Sequence, residues 1–341
     1  ETSFFFGAEA TPRGLHCTAL PHAEHTMSPL RFAGAGVLLA AVYYAYFIPQ
    51  KLLKFSVVPG YFDHKTEGSE MESFFATAPD DPKFGLTLPS FRDLHDKIEA
   101  LKAKGRKVKV LYLLRHAEGY HNEAEKELND REHWFGVEGK HEKYTDADLN
   151  AAGIKQSEKF SSRLGQAAKL GIKVEHLITS PLRRAVRTAG IGFNLTAERI
   201  KNQVEHYKAL SDQKATAEEL ARETMGELTC DKRLKASELS RIFPWVDYKS
   251  IVDEDIYWKE EARETIEEKK ARVRKFLQWL WTHQKLGSLT YLVVATHSGW
   301  INAALRELKV IKPESKWKPA NAQMMGLVVE ADELDDEPKS Q

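Results

Sequence analysis

The chain is 341 residues long, enough for one large α/β domain or two small ones. Its 50 Lys and Arg balance 50 Asp and Glu, so net charge gives no ground for a nucleic-acid partner, and any affinity for phosphate must come from local arginines. Two cysteines, Cys17 and Cys230, lie far apart and make no disulfide framework, which fits a reducing compartment.

Residues 1–29 read as a tail or presequence without assignable periodicity, and nothing catalytic is expected there. Residues 30–50 hold an uncharged apolar run, FAGAGVLLAAVYYAYFI over 32–48, closed by Pro49, Lys51 and Lys54. As a helix it reaches roughly 25 Å, slightly less than a hydrocarbon core of about 30 Å, and suits a thin bilayer. Tyr43, Tyr44, Tyr46 and Phe47 crowd one end as an interfacial belt would. The pattern predicts a single-pass anchor in a lipid bilayer. A cleaved signal or transit peptide, which usually ends its apolar run in small residues, and a buried core helix are the competing readings. Lys51 and Lys54 against Arg31 favour a catalytic domain facing the cytosol or mitochondrial matrix from an endoplasmic-reticulum or mitochondrial membrane. The sequon Asn194-Leu195-Thr196 offers a check, because its glycosylation would put the domain in a lumen.

Residues 51–90 carry Pro, Gly and Phe with little period and read as an extended linker, and a catalytic domain is expected over 91–331 with a disordered tail at 332–341. Leu94, Ile98 and Leu101 have helical spacing, with Gly105 as a stop, so a helix is predicted over 91–104. It leads into KVKVLYLLRHAEGYHN over 107–122, whose continuous apolarity suggests a strand buried on both faces. Arg115 and His116 sit at its carboxyl end, where open parallel sheets bind ligands. A neutral imidazole can attack phosphorus while a guanidinium forks onto phosphoryl oxygens, although the same dipeptide also ends strands with a solvent-facing histidine.

Residues 123–143 are charged and lack a clear apolar face. His116 and His121 lack the spacing of a zinc helix, so no metal is expected. Asn150 is placed to cap a helix over 154–170, with Asp146 and Asp148 near its positive end. A strand over 174–179 follows, then Ser180 as an N-cap and Pro181 in the first turn of a helix that carries Arg183, Arg184 and Arg187. Further strands are expected over 203–210, 289–296 and 325–330, with helices over 263–281 and 300–308. The strand at 289–296 ends in His297-Ser298-Gly299, repeating the first pattern of an apolar run followed by histidine. Cys230 is expected to pack as a small apolar residue. The alternation implies an α/β fold, a three-layer α/β/α sandwich with a mainly parallel central sheet, preceded by the N-terminal transmembrane helix.

RHAEGYHN, SPLRRAVRTA over 180–189, RETMGELTCDKR over 222–233 and THSG over 296–299, together with VPGYF, FGL and DADLNAAGIKQ, come in a characteristic order. As a set they make the chain resemble the histidine phosphatase superfamily, in the phosphoglycerate-mutase-like branch of fungal and plant proteins. The resemblance implies that His116 is the nucleophile and becomes transiently phosphorylated, and that Arg115, Arg184 and His297 cradle the oxygens. By the same resemblance Arg184 rather than Arg183 faces the phosphate, Glu223 is the proton donor, Asn122 orients the nucleophile loop and Arg222 binds phosphate or substrate; Arg187, three residues beyond Arg184, shares its helix face and is placed to assist. It also makes 123–143 a place to expect a variable insertion over the site. Ala117 departs from the family's usual glycine, and Asn150 replaces a commoner threonine.

The expected activity is therefore hydrolysis of small phosphate monoesters through phosphohistidine, with a small phosphorylated substrate and no cofactor. A phosphoglycerate mutase is a lesser alternative, since HAEGYHN looks unlike that branch. A non-catalytic subunit of a membrane assembly is the reading from another class, and such a scaffold has no chemical need for all of His116, Arg115, Arg184, His297 and Glu223.

Overall fold

A computed structural model describes residues 52–63, 81–195, 214–315 and 317–333 of the chain. The anchor expected over 32–48, the strand expected over 203–210 and the tail beyond 333 lie outside the described residues, as does Thr196 of the sequon. Among the described residues no helix is long and apolar enough to cross a membrane.

Among the described residues seven strands form one mixed sheet in the order β1-β7-β2-β6-β3-β4-β5. In chain order they are β1 (Leu53–Val57), β2 (Val108–Arg115), β3 (His176–Thr179), β4 (Ala215–Ala217), β5 (Val246–Asp247), β6 (Tyr291–Thr296) and β7 (Met324–Glu333). The run from β2 through β6, β3 and β4 to β5 is parallel, whereas β7 lies antiparallel to both β2 and β1. The sandwich is thus mainly parallel, with an antiparallel strand set inside one edge.

The side chains of β2 explain why it is central. Val110, Tyr112 and Leu114 join a core on one face, and Leu111 and Leu113 join a second core on the other. Period-2 alternation with both sets apolar requires a layer of helices on each side. Helix α1 (Phe91–Ala103), α4 (Ala151–Lys169) and α5 (Arg183–Gly192) supply Leu94, Ile98, Phe160, Leu164 and Val186 to the first core. Helix α7 (Ile266–Thr282) and α8 (Ser298–Glu307) supply Val273, Phe276, Leu280, Trp300 and Leu305 to the second. Each such side chain contributes about 1.5–3 kcal/mol of transfer free energy when fully buried.

Several local expectations change. The supposed linker gives the sheet its edge strand, Leu53 pairing with Glu333 and Val57 with Val329. Short β4 and β5 carry too few residues for a readable period. Helix α5 begins at Arg183 after Leu182, so Ser180 is not its cap and Pro181 lies outside it. Its first N–H, on Arg183, donates instead to the buried carboxylate of Asp146 at 2.8 Å. Asp146 therefore serves α5 rather than α4, whose cap is the expected Asn150, accepting from Gly153 N–H at 2.8 Å. The charged stretch after β2 folds as α2 (Tyr120–Leu128), α3 (Arg131–Gly136) and two short 3-10 turns. It closes over a small cluster of Trp134, Tyr144, Leu228 and Cys230. The remaining helix, α6 (Ala236–Ile242), covers the far part of the sheet with Leu239.

Candidate active site

The parallel pairing of β2 with β6 aligns Arg115 with Thr296, so His116 and His297 leave the sheet side by side at its carboxyl edge. The ladder extends one step further, His116 N–H donating to Thr296 O at 2.9 Å. Their ring centroids stand 5.0 Å apart. Strand β3 ends one position over, where Ser180 N–H donates to Ala295 O. Three neighbouring strands thereby deliver His116, His297 and Ser180 to one crevice, as doubly wound sheets do.

A cleft of about 840 Å³ opens on this edge. Arg115, His116, His121, Asn122, Arg184 and Glu223 line it, with Trp134, Phe135 and Leu228 from the elements that close over it. His297 lies behind them, fully buried.

His116 Nδ1 meets the carbonyl oxygen of Ala117 at 2.6 Å. A carbonyl only accepts, so Nδ1 carries the hydrogen and Nε2 keeps its lone pair. Burial and then the nearby charge of Arg184 hold this imidazole well below its ordinary pKa, which keeps it the free base. Ala117 has no positive φ, so its methyl is accommodated without left-handed strain. Its N–H donates to Thr188 Oγ1 at 2.9 Å. Asn122 Oδ1 accepts from Gly119 N–H at 3.1 Å, which ties the turn after the histidine to the start of α2.

Arg184 is 1% exposed and is fixed by bonds from Nη1 to Cys230 O at 2.5 Å and from Nη2 to Asp231 Oδ1 at 2.9 Å. Arg115 is fixed by Nη1 to Pro319 O at 2.6 Å. What remains is informative. Arg115 Nε, Arg184 Nε and His297 Nδ1 are buried with no hydrogen-bond partner among the described residues. His297 Nε2 contacts Ser180 Oγ at 2.8 Å, and Ser180 Oγ in turn accepts from Leu182 N–H at 3.4 Å.

Glu223 faces the histidines from the loop between β4 and α6. Its Oε1 accepts from Thr224 N–H at 2.8 Å and its Oε2 from Gly299 N–H at 3.1 Å, at the amino end of α8. Burial alone would raise its pKa, but Lys269, the two backbone N–H groups and Arg184 outweigh it and hold the carboxyl at about 2. Arg272 clamps the segment from below, donating to the carbonyls of Leu220, Arg222 and Glu223 while paired with Glu264.

Two expected site residues stand elsewhere. Arg222 is fully buried away from the cleft lining, its Nη groups taken by Asp255, Glu219 and Asp231 O. Arg187 grips Asp148 through two bonds of 2.7 and 2.6 Å and does not line the cleft. Cys230 packs as a buried thiol whose pKa burial pushes well up. Sequence reasoning missed Thr224, Lys269 and Asp231. For Lys269 a signal was present: it lies three, four and seven residues before Arg272, Val273 and Phe276, a charge on the buried stripe of α7.

The fold and this cluster together define an α/β protein whose site is built on a neutral histidine flanked by Arg115 and the buried Arg184. The chain belongs to the histidine phosphatase superfamily (branch 1), which residues 111–335 match. "Phosphoglycerate mutase-like protein 1" of Arabidopsis thaliana is 32% identical over 240 residues, covering 65% of this chain and 81% of that relative. "Phosphoglycerate mutase-like protein" of the same plant is 31% identical over 211 residues, covering 58% and 73% respectively. Among solved structures, the ecdysone phosphate phosphatase of Bombix mori is 15% identical, with a TM-score of 0.41 and coverage of 68% and 96%.

Proposed function

We propose that the chain hydrolyses small phosphate monoesters through a phosphohistidine on His116. The observation that carries this reading is the set of buried donors without partners. A buried N–H left unpaired costs about 1–3 kcal/mol, and Arg115 Nε, Arg184 Nε and His297 Nδ1 lie in one site around the nucleophile. An anion with three equatorial oxygens answers all of them. Charge-assisted bonds then contribute roughly 1.5–3 kcal/mol each. In this reading the Ser180 hydroxyl donates to His297 Nε2, so that the hydrogen of His297 stands on Nδ1 for the anion.

In the first step His116 Nε2 bonds to phosphorus and the ester P–O bond breaks, the leaving oxygen taking a proton from Glu223. In the second, water attacks phosphorus, the P–N bond breaks and Glu223 receives the water's proton. Entry of a phosphate dianion raises the pKa of Glu223 by repulsion, so the carboxyl that is ionised in the empty cleft becomes able to carry a proton when substrate is present.

The test is hydrolysis of p-nitrophenyl phosphate by the purified chain across about pH 5 to 8, a range set by histidine titration. It is run beside His116→Ala with trapping of acid-labile phosphohistidine. Loss of roughly 10³-fold or more in the variant, with label on the parent only, supports the reading. Equal activity in parent and variant would refute it. The names of the plant relatives favour a mutase as the second reading, and conversion of 3-phosphoglycerate to its isomer rather than to glycerate and phosphate would select it.

A further inference from the structure

Lys269 has no part in the mechanism so far, yet it is 8% exposed and lines the cleft from the first turn of α7. Its ammonium donates a hydrogen bond to Thr224 Oγ1. Thr224 Oγ1 donates in turn to Glu223 Oε1 at 3.2 Å. An ammonium, a hydroxyl and a carboxylate are thus joined in a line, each oriented to pass a hydrogen to the next.

We propose that Lys269 stores the proton that Glu223 delivers to the leaving group, with the Thr224 hydroxyl as the link. The inference rests on the hydrolytic reading of His116 and Glu223 above. As the ester P–O bond breaks and the His116 Nε2–P bond forms, Glu223 protonates the leaving oxygen. Thr224 gives its hydroxyl hydrogen to Glu223 and takes one from Lys269, which becomes a neutral amine. When water attacks phosphorus and the P–N bond breaks, the water's proton returns through Glu223 and Thr224 to Lys269. Every proton is accounted for, and no other reactant is needed. Lys269 reaches the reacting atoms only through the other two, so it is a positioning residue.

The surrounding charges suit the task. Burial lowers the hold of Lys269 on its proton, with Arg272 and Arg263 acting in the same sense and Glu223 and Glu264 opposing. Glu223 in turn faces Lys269 and Arg184, while Arg115 and His121 both feel its charge. In the empty site the proton accordingly resides on nitrogen. In the empty cleft the carboxyl, held at about 2, carries no proton, so the one it takes up when substrate enters needs a donor within reach, and Thr224 joins it to Lys269.

The experiment exploits leaving groups. p-Nitrophenolate departs as an anion, whereas the alkoxide of glycerol 2-phosphate needs a proton as it leaves. With both esters, kcat/KM is measured from about pH 5 to 9 for the parent, Lys269→Met, Lys269→Arg, Thr224→Val and Thr224→Ser, each checked for a parent-like unfolding midpoint. Lys269→Met and Thr224→Val are expected to lose roughly 10²-fold on glycerol 2-phosphate at pH 7.5, the scale of general-acid assistance. Their loss on p-nitrophenyl phosphate should be at least about tenfold smaller. Activity of Lys269→Met on the alkyl ester should recover toward acid pH, where Glu223 binds the proton itself, and Thr224→Ser should restore the parent pattern. Equal losses on the two esters, or none on either, overturn the proposal. A parent inactive on both and unlabelled at His116 overturns the hydrolytic reading, and the proposal with it.

Discussion

Gly299 gives the sharpest test of how the proton donor is held. A Cβ built on it would stand 2.1 Å from Glu223 Oε1 and 2.9 Å from Thr224 Oγ1. Ordinary contact begins near 3.4 Å, so in Gly299→Ala the carboxylate must retreat by about 1.3 Å. That movement stretches or breaks its bond from Gly299 N–H, now 3.1 Å. A misplacement of about 1 Å at a reacting group costs on the order of 10²-fold in rate. The fold itself has little reason to suffer, because the position lies in the first turn of α8, where alanine is the better helix former by up to about 1 kcal/mol. The variant is therefore expected to lose roughly 10²-fold in kcat/KM on glycerol 2-phosphate while keeping its urea midpoint close to the parent's. Steady-state kinetics and urea unfolding on the same preparations decide it. Activity within about threefold of the parent would refute the argument, as would a collapse of stability large enough to explain the loss by unfolding.

The remaining predictions concern pH and a displaced arginine. Burial and then Arg184 hold His116, His121 and His297 well below the ordinary imidazole value, so the folded chain binds fewer protons than the unfolded one below about pH 6.5. Their contribution to stability is full above that pH and is lost as pH falls, at up to about 1.4 kcal/mol per pH unit for each histidine that stays neutral. Asp146, raised to about 6 by burial, acts in the opposite sense between its folded and unfolded values, so the parent alone is a poor reporter. The expected result is that His121→Gln reduces the drop in urea stability between pH 7.5 and 5.5; an unchanged drop would contradict the assignment. Arg187→Met should leave kcat/KM within about threefold and cost no more than about 1 kcal/mol, since the pair it breaks with Asp148 is partly exposed. A loss beyond about tenfold in kcat/KM would return Arg187 to the phosphate.

How far the sequence could be read depends on the length over which each signal repeats. Strands β2 and β6 are apolar without interruption, and α1, α4 and α7 run over several turns with a stripe, so periodicity alone places them. β4 and β5 have 3 and 2 residues, too short for any period, and they exist because β3 offers a free edge to extend. Strand β1 was hidden for a different reason: its residues are only half-buried at the sheet's edge, and its pairing depends on β7, more than two hundred residues away. The misplaced cap of α5 has a similar origin. Ser180 has the composition of an N-cap, but its hydroxyl is engaged by His297, and the vacancy is filled from a distance by Asp146.

The site divides along the same line. His116 and His297 were legible because each directly follows an apolar strand, so sequence position and spatial position coincide. Which arginine of the α5 start reaches the cleft was legible through the family resemblance, which chose Arg184 over Arg183; without it Arg183, Arg184 and Arg187 read as equal cations. Partners decide among them. Arg183 and Arg187 are claimed by Asp146 and Asp148, and Arg184 keeps a buried donor, Nε, in hand beside His116, as Arg115 does, while Asp231 holds the rest of Arg184 in place. The acidic residues thus help to define the phosphate site, by engaging the guanidinium groups of Arg183 and Arg187, whose charge would otherwise compete for the anion. On this argument Asp148→Asn, by releasing Arg187 without touching the cleft, is the substitution through which the selectivity of the site would first begin to blur.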